Sequence, residues 1–180
     1  MSYIRNICVL IFEFLRDIEF RIIGRHHNLW KPFAWLYLVA MGVERAGSAN
    51  IGNNLFIRYP GCLRLGHRCS LGGFTRIWNY ALVTIGDDFL SAGNLTINSG
   101  GHDPVTLIPI VKPITIGHRV WCGVNVTILA GVTIGNDVII AAGSVVISDV
   151  PSGSLVAGVP AVVKKKLNRT SDEIWSPFTR

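Results

Sequence analysis

Five histidines, four cysteines and one run of three lysines are the residues of this 180-residue chain with the most chemistry to offer. Imidazole exchanges protons near neutral pH and ligates metals, and a thiol becomes a nucleophile or ligand once ionised. Spacing narrows both possibilities. Cys8, Cys62, Cys69 and Cys122 form no C-x-x-C pair and no dense cluster, so neither a zinc knuckle nor a disulfide framework is indicated, and a reducing compartment fits. His26 and His27 are adjacent and point in different directions, which suits a loop pair better than a metal clamp. His67 and His118 each follow a glycine and read as exposed turn residues. His102 stands in the turn-rich stretch Asn98-Ser99-Gly100-Gly101-His102-Asp103-Pro104. Lys164-Lys165-Lys166 reads either as an anion contact or as a solvated tail.

The elements that must position these groups are apolar and glycine-rich. The chain is 49% hydrophobic and 16% charged, which excludes disorder, and its 19 glycines follow no collagen period. The net charge of +6 sits at the ends, so that residues 51–163 carry six basic and five acidic groups. A nucleic-acid binder usually shows a basic stripe across its folded body, and no such partner is expected.

Internal repetition is the strongest signal. Ile116, Cys122, Ile128, Ile134, Ile140 and Val146 stand six apart, each followed four residues later by Val120, Val126, Val132, Val138, Ser144 and Val150. Six is far from a multiple of 3.6, so this is no helix. Upstream the repeat continues with phase shifts, as Ile51, Ile57 and Leu63, then Leu65, Leu71 and Ile77, then Ile85, Ser91 and Ile97. Each shift predicts a bulge, and the longest, between Ile97 and Ile116 with three prolines, predicts an extruded loop over about 98–113. Each hexad is then a short strand and a corner, with one inward aliphatic stacked on its equivalent in the next coil. Glycine and asparagine are expected to supply the unusual corner angles, as at Gly135-Asn136. Cys122 occupies an inward position, which predicts a buried, inert thiol rather than a nucleophile.

Residues 1–50 read as an N-terminal helical segment. Ile4, Ile7, Ile11, Leu15, Ile18 and Ile22 recur at helical steps and suit a cap or a packing face. Phe12, Phe14, Phe20, Trp30 and Trp35 would also suit peripheral membrane contact. No secretory signal is evident, and the run from Leu29 to Val43 is too short to cross a bilayer. A cytoplasmic location is expected, at the inner face of the membrane if that segment binds lipid. Residues 164–180 read as a basic C-terminal tail.

Five stretches in order resemble the hexapeptide-repeat acyltransferases, and most closely the maltose/galactoside acetyltransferase branch with the colanic-acid-type polysaccharide O-acetyltransferases. They are Pro113-Ile114-Thr115-Ile116-Gly117, Val120-Trp121-Cys122-Gly123-Val124-Asn125, Gly131-Val132-Thr133-Ile134-Gly135, Ala142-Gly143-Ser144-Val145-Val146 and Ala157-Gly158-Val159-Pro160-Ala161. The resemblance implies an all-β fold, a left-handed parallel β-helix of hexapeptide repeats with three hexads per coil, over residues 51–163. It also implies a homotrimer with active sites between subunits, acetyl-CoA as co-substrate, no metal, and a sugar or glycan acceptor.

Carried over residue by residue, the resemblance makes His102 the general base that takes the proton of an acceptor hydroxyl as it attacks the thioester. Direct transfer without an acyl-enzyme is implied. Asp103 would orient the imidazole or the acceptor, or simply form a turn. Trp121 would lie beside the pantetheine arm, with Gly123 and Val124 offering main-chain contacts. Ala142, Gly143, Ile147 and Ser148 would lie further along CoA, and Lys164 and Lys165 would reach its phosphates. Val124 and Ile147 stand where relatives often carry hydroxyl residues, and Ser148 replaces a frequent lysine. Asn79, at a phase shift in Trp78-Asn79-Tyr80, is a candidate for a sugar hydroxyl.

Three rivals share the scaffold. A γ-class carbonic anhydrase needs three zinc-binding histidines, and Leu107 stands five residues after His102 with no later histidine before His118. A non-catalytic β-helix would have no reason to keep Trp121, the proline-rich loop and His102 together. An N-acetyltransferase of an amino sugar or amino acid is the alternative closest in chemistry.

Overall fold

The structure, a computed structural model, describes residues 7, 10, 11, 14, 34–43, 45–46 and 48–168. From Arg45 onward the chain winds as a β-solenoid whose short strands stack into three parallel sheets. The first face holds Arg45–Ala46, Leu63–Leu65, Val83–Ile85, Ile114–Ile116 and Thr133–Ile134. The second holds Ala49–Ile51, Cys69–Leu71, Leu90–Ser91, Trp121–Cys122 and Ile139–Ile140, and is completed by Ser154–Gly158 and Ala161–Lys166. The third holds Phe56–Ile57, Arg76–Trp78, Thr96–Asn98, Thr127–Leu129 and Val145–Val146.

The six-residue ladder is the core. In register, Leu65, Ile85, Ile116 and Ile134 stack inside the first face, and Ile57, Ile77, Ile97, Ile128 and Val146 inside the third. Cys122 lies between Ser91 and Ile140 in the second, with no exposed surface, and burial pushes its thiol up. Val120, Val126, Val132, Val138, Ser144 and Val150, four residues on, are buried as well. Each hexad therefore sends two side chains inward, one from its strand and one from its corner. Burying each such Val or Ile contributes about 1.5–3 kcal/mol, and no coil can collect that without its neighbours.

The edges are tighter than the faces. Gly66, Gly86, Gly117 and Gly135 stack along the edge between the first and second faces. A Cβ on Gly86 would lie 2.8 Å from the carbonyl carbon of Gly117, and one on Gly117 would lie 2.7 Å from that of Gly135. These glycines answer to close approach, not to unusual angles. The left-handed residue sits two positions later, at Arg68, Asp88, Arg119 and Asp137, with φ between 55° and 58°. This corrects the expectation for Gly135-Asn136, neither of which has positive φ. A left-handed L-residue costs roughly 1–2 kcal/mol, and here stacking offsets it. Arg68 grips Asp88 through two bonds of 2.6 and 2.7 Å, and Arg119 grips Asp137 at 2.6 and 2.8 Å. The Arg68 guanidinium holds the Asp88 carboxyl below the usual carboxylate range. The residues between glycine and left-handed position stitch coils together. Asp87 Oδ1 accepts the His67 N–H, His118 Nδ1 the Asp87 N–H, and Asn136 Oδ1 the His118 N–H. His67 and His118 are exposed, as their place after a corner glycine predicts.

The phase shifts converge on one place. Eight residues separate Ile57 from Leu65 and Ile77 from Ile85, where six is the rule, and nineteen separate Ile97 from Ile116. All three excesses fall on the edge where the third face turns into the first. The two short ones are absorbed around Tyr59–Cys62 and Asn79–Leu82. The long one leaves the solenoid as an antiparallel hairpin of Gly100–His102 with Pro109–Val111.

Both ends of the solenoid differ from the expected boundaries. The first coil starts at Arg45, whose strand pairs with Leu63–Leu65, and not at residue 51. The helix Ala34–Met41 covers that end with the buried Tyr37 and Leu38. Gly42, at φ 97°, terminates it, and the N–H groups of Gly42 and Val43 return to the carbonyls of Val39 and Leu38 at 2.9 and 3.0 Å. At the other end, Lys164–Lys166 are not a tail. They finish the strand Ala161–Lys166, which folds back antiparallel on Ser154–Gly158. Of the N-terminal helical face, Ile7 and Ile11 are helical and exposed, as are Leu10 and Phe14; its other positions lie outside the described residues. No helix among the described residues is long and apolar enough to cross a membrane.

The glycine stack is testable by adding one methyl. Gly117→Ala should destabilise the protein by about 1–3 kcal/mol, whereas Gly61→Ala, with nothing within 4 Å of the new atom, should stay within about 0.5 kcal/mol. Urea denaturation of the two variants beside the parent measures both; equal stability of all three would refute the close-approach account.

Candidate active site

His102 ends the outgoing strand of the hairpin, opposite Pro109. Its root is firmly built. Asn98 Oδ1 accepts the Gly100 N–H at 3.0 Å, closing the turn out of the third face. Ser99 is buried; its Oγ accepts the Ala81 N–H at 2.8 Å, and its carbonyl accepts the Lys112 N–H as the chain returns. Gly100 lies on the ring of Tyr80, where a Cβ would come 3.1 Å from Cγ. These contacts fix the first two residues of the hairpin. The His102 side chain itself is exposed and has no hydrogen-bond partner among the described residues.

Asp103 serves the turn. Its Oδ1 accepts the N–H groups of Val105 and Thr106 at 3.0 and 2.8 Å and the Thr106 hydroxyl at 3.0 Å. Those bonds hold its carboxyl below the usual range. Neither oxygen is bonded to the imidazole. Beyond it, Val105, Leu107 and Ile108 stand out in solvent, Val105 at 87% exposure. An exposed apolar patch is a feature that commonly marks an interaction site.

Asn79 is fully buried. Its Oδ1 accepts the Tyr59 N–H at 3.0 Å and its Nδ2 donates to the Tyr59 carbonyl at 2.5 Å. The amide thereby stitches two coils where the chain bulges, and it presents no surface to a sugar in this chain. That is the reason for a polar side chain at the phase shift: the bulged main chain has lost its usual partners, and buried N–H and C=O groups must find others.

The other expected site residues fall into two sets. Trp121 lies on the outside of the second face at 43% exposure, in the row Leu90, Trp121, Ile139, Leu155, Lys165 read across neighbouring strands. At the edge between the second and third faces, Val124, Ala142 and Gly143 are exposed. The Gly143 N–H donates to the Val124 carbonyl at 2.8 Å. Gly123 is buried and its N–H is committed to the Ile140 carbonyl, so it offers no donor there. A Cβ on Gly123 would lie 2.6 Å from the Ala142 nitrogen, which accounts for the glycine by packing. Lys164 and Lys165 are exposed on the end strand. Ile147 and Ser148, also exposed, belong to the other edge, in the column above Asn98 and the hairpin.

One chain therefore presents His102, Ile147 and Ser148 on one edge, and Trp121, Val124, Ala142 and Gly143 on the second face and the edge after it. The third face lies between them, up to about 20 Å across at six extended residues. Among the described residues, no three His, Cys, Asp or Glu side chains converge as a metal site. Tyr80 and Asn98, which position the hairpin, lie in stretches whose sequence assigns them no role. Their signal was a spacing of about one coil, Tyr59 to Tyr80 and Trp78 to Asn98.

No family model matches the chain. Galactoside O-acetyltransferase of Escherichia coli K12 is 38% identical over 133 residues, 67% of this chain and 64% of that protein, so the chain spans under two thirds of that relative. A second Escherichia coli K12 protein, named "Putative lipopolysaccharide biosynthesis O-acetyl transferase WbbJ", is 32% identical over 156 residues, covering 74% of this chain and 79% of its own length. Among solved structures, the hexapeptide-repeat containing acetyltransferase VCA0836 of Vibrio cholerae, complexed with acetyl coenzyme A, aligns with a TM-score of 0.71 at 26% identity, over 87% of this chain and 89% of that one. The five motif stretches, the three-sided solenoid with one extruded histidine hairpin and this degree of identity agree, and the chain belongs to the hexapeptide-repeat acyltransferases, in the branch of the galactoside and polysaccharide O-acetyltransferases.

Proposed function

We propose that the protein transfers the acetyl group of acetyl-CoA to a hydroxyl of a sugar or glycan, at sites completed between the subunits of a homotrimer. The observation that carries the reading is the division of the site residues between separate edges of one chain. A hairpin with an exposed imidazole and an apolar tip stands on one edge, and an exposed tryptophan with a basic end strand on another face. A second copy would bring its Trp121 face to the hairpin of the first and cover Val105, Leu107 and Ile108.

In that arrangement Trp121 and the Val124–Gly143 edge flank the pantetheine arm, and Lys164 and Lys165 lie three strands along the same face for the phosphates. His102 takes the proton of the acceptor hydroxyl as its oxygen bonds to the thioester carbonyl carbon. The tetrahedral intermediate then collapses with loss of the CoA sulfur, and the imidazolium returns the proton to that thiolate. Ester and free CoA are the products, and no acyl-enzyme is required. Positioned general-base catalysis of this kind is worth about 10²–10⁴-fold.

His102→Ala should lower turnover at least about 100-fold with CoA binding intact, followed as thiol release from acetyl-CoA with a panel of hydroxyl and amino sugars. Trp121→Ala should chiefly raise KM for acetyl-CoA. Co-expression of the two variants should yield mixed assemblies more active, at low acetyl-CoA, than either parent, because some interfaces then join an intact His102 to an intact Trp121. Near-full activity of His102→Ala would remove it from the mechanism, and the absence of any complementation would count against shared sites.

The N-terminal segment completes the reading. Ile7, Leu10, Ile11 and Phe14, at steps of three and four and exposed at 41% to 65%, suit contact with a membrane surface where a lipid-linked acceptor would be handled. Full-length protein should float with liposomes and protein lacking residues 1–33 should not; equal behaviour of both would exclude that contact.

A further inference from the structure

The first two coils carry a surface that the transfer step does not use. On the outside of the third face, Phe56 and Trp78 pack with ring centroids 4.7 Å apart. Around the adjoining edge, Tyr59 and Tyr80 meet edge to face at 5.8 Å, and Arg58 lies over the Tyr59 ring at 5.3 Å. Arg76 stands beside Phe56 in the strand register. Phe56, Arg58, Tyr59, Arg76 and Tyr80 are exposed, and Trp78 is partly so. Neither arginine enters any of the three ion pairs among the described residues, which are Arg68–Asp88, His118–Asp87 and Arg119–Asp137. Later coils bear Thr96, Thr127, Val145 and Leu129 at the equivalent outward positions, so the aromatic and basic character is confined to this end.

This surface runs straight into the histidine hairpin. Trp78 is the register partner of Asn98, whose amide closes the turn into Gly100, and Tyr80 is the ring on which Gly100 rests. We propose that it is a binding platform for an anionic polysaccharide, holding sugar units that flank the one presented to His102. The proposal rests on the acetyltransferase reading above and specifies its acceptor. Exposed aromatic rings offer flat apolar bodies with polar tips, which match the C–H faces of pyranoses. Unpaired guanidinium groups match carboxylate or phosphate substituents, bidentate and directional. A platform that ends at the hairpin would favour repeating polymers over single sugars, because each further ring engaged adds contact without touching the reacting atoms.

Affinity electrophoresis of the full-length protein, without acetyl-CoA, tests this in gels containing polygalacturonate or neutral dextran. The protein should be retarded by polygalacturonate, less so as salt rises, and little by dextran. Arg58→Ala/Arg76→Ala should weaken polygalacturonate binding at least about 10-fold at 0.1 M salt, and Trp78→Leu should weaken it too. Thermal melting within a few degrees of the parent certifies each variant's fold, and Arg58→Ala alone replaces any variant that fails this check. Absence of retardation, unchanged binding in the arginine variant, or binding that follows Lys164–Lys166 instead would overturn the platform. So would tighter binding of single-stranded oligonucleotide through the same arginines, or a change of oligomeric state in the arginine variant, which would make the surface a contact between copies. Retardation through Arg58 and Arg76 in a protein that releases no thiol from acetyl-CoA would uphold the platform and count against the enzymatic reading alone.

Discussion

The interval between hydrogen-bonded coils, about 4.8 Å, is the constraint from which the rest of the molecule follows. Every residue must sit above an equivalent residue at that distance, so what is tolerated once is tolerated only as a column. Apolar side chains satisfy it by stacking inside. At the edges the backbone of one coil rests on that of the next, and the columns of glycine are the result. Where the edge forces left-handed backbone on larger residues, alternation of charge turns the column into a strap: Arg68, Asp88, Arg119 and Asp137 follow one another up the same edge.

Such a lattice leaves little freedom for chemistry, and the protein finds it on one edge. All three excesses over the six-residue rule lie where the third face meets the first. Side chains repair the main chain at each, the Asn79 amide at Tyr59 in the first, the Ser99 hydroxyl at Ala81 in the second and the Asn98 amide at Gly100 in the third. The hairpin with His102 therefore grows from a braced root, while its tip holds Val105, Leu107 and Ile108 in solvent.

The inward ladder was legible in the sequence because side-chain size and period carry the same message at every coil. The position of the hairpin was legible from the broken period. Asn79 was misread because polarity alone does not say whether a side chain serves a ligand or its own backbone; burial decides that, and a single sequence does not show burial. The end strand was missed because three adjacent lysines read as solvated, although a strand with both of its sides exposed can carry them. The aromatic platform was within reach of the sequence. Phe56 to Trp78 and Tyr59 to Tyr80 recur at about one coil length, a period longer than the hexad.

The antiparallel return of Ala161–Lys166 has a consequence for assembly. A parallel ladder left open is a seed, since a second solenoid could dock end to end, continue its hydrogen bonds and propagate a fibre. Here the outermost strand of the second face reverses direction and places three consecutive ammonium groups on the rim. Head-to-tail continuation of the ladder is thereby disfavoured on that face, by the reversed strand direction and by the cost of desolvating the lysines.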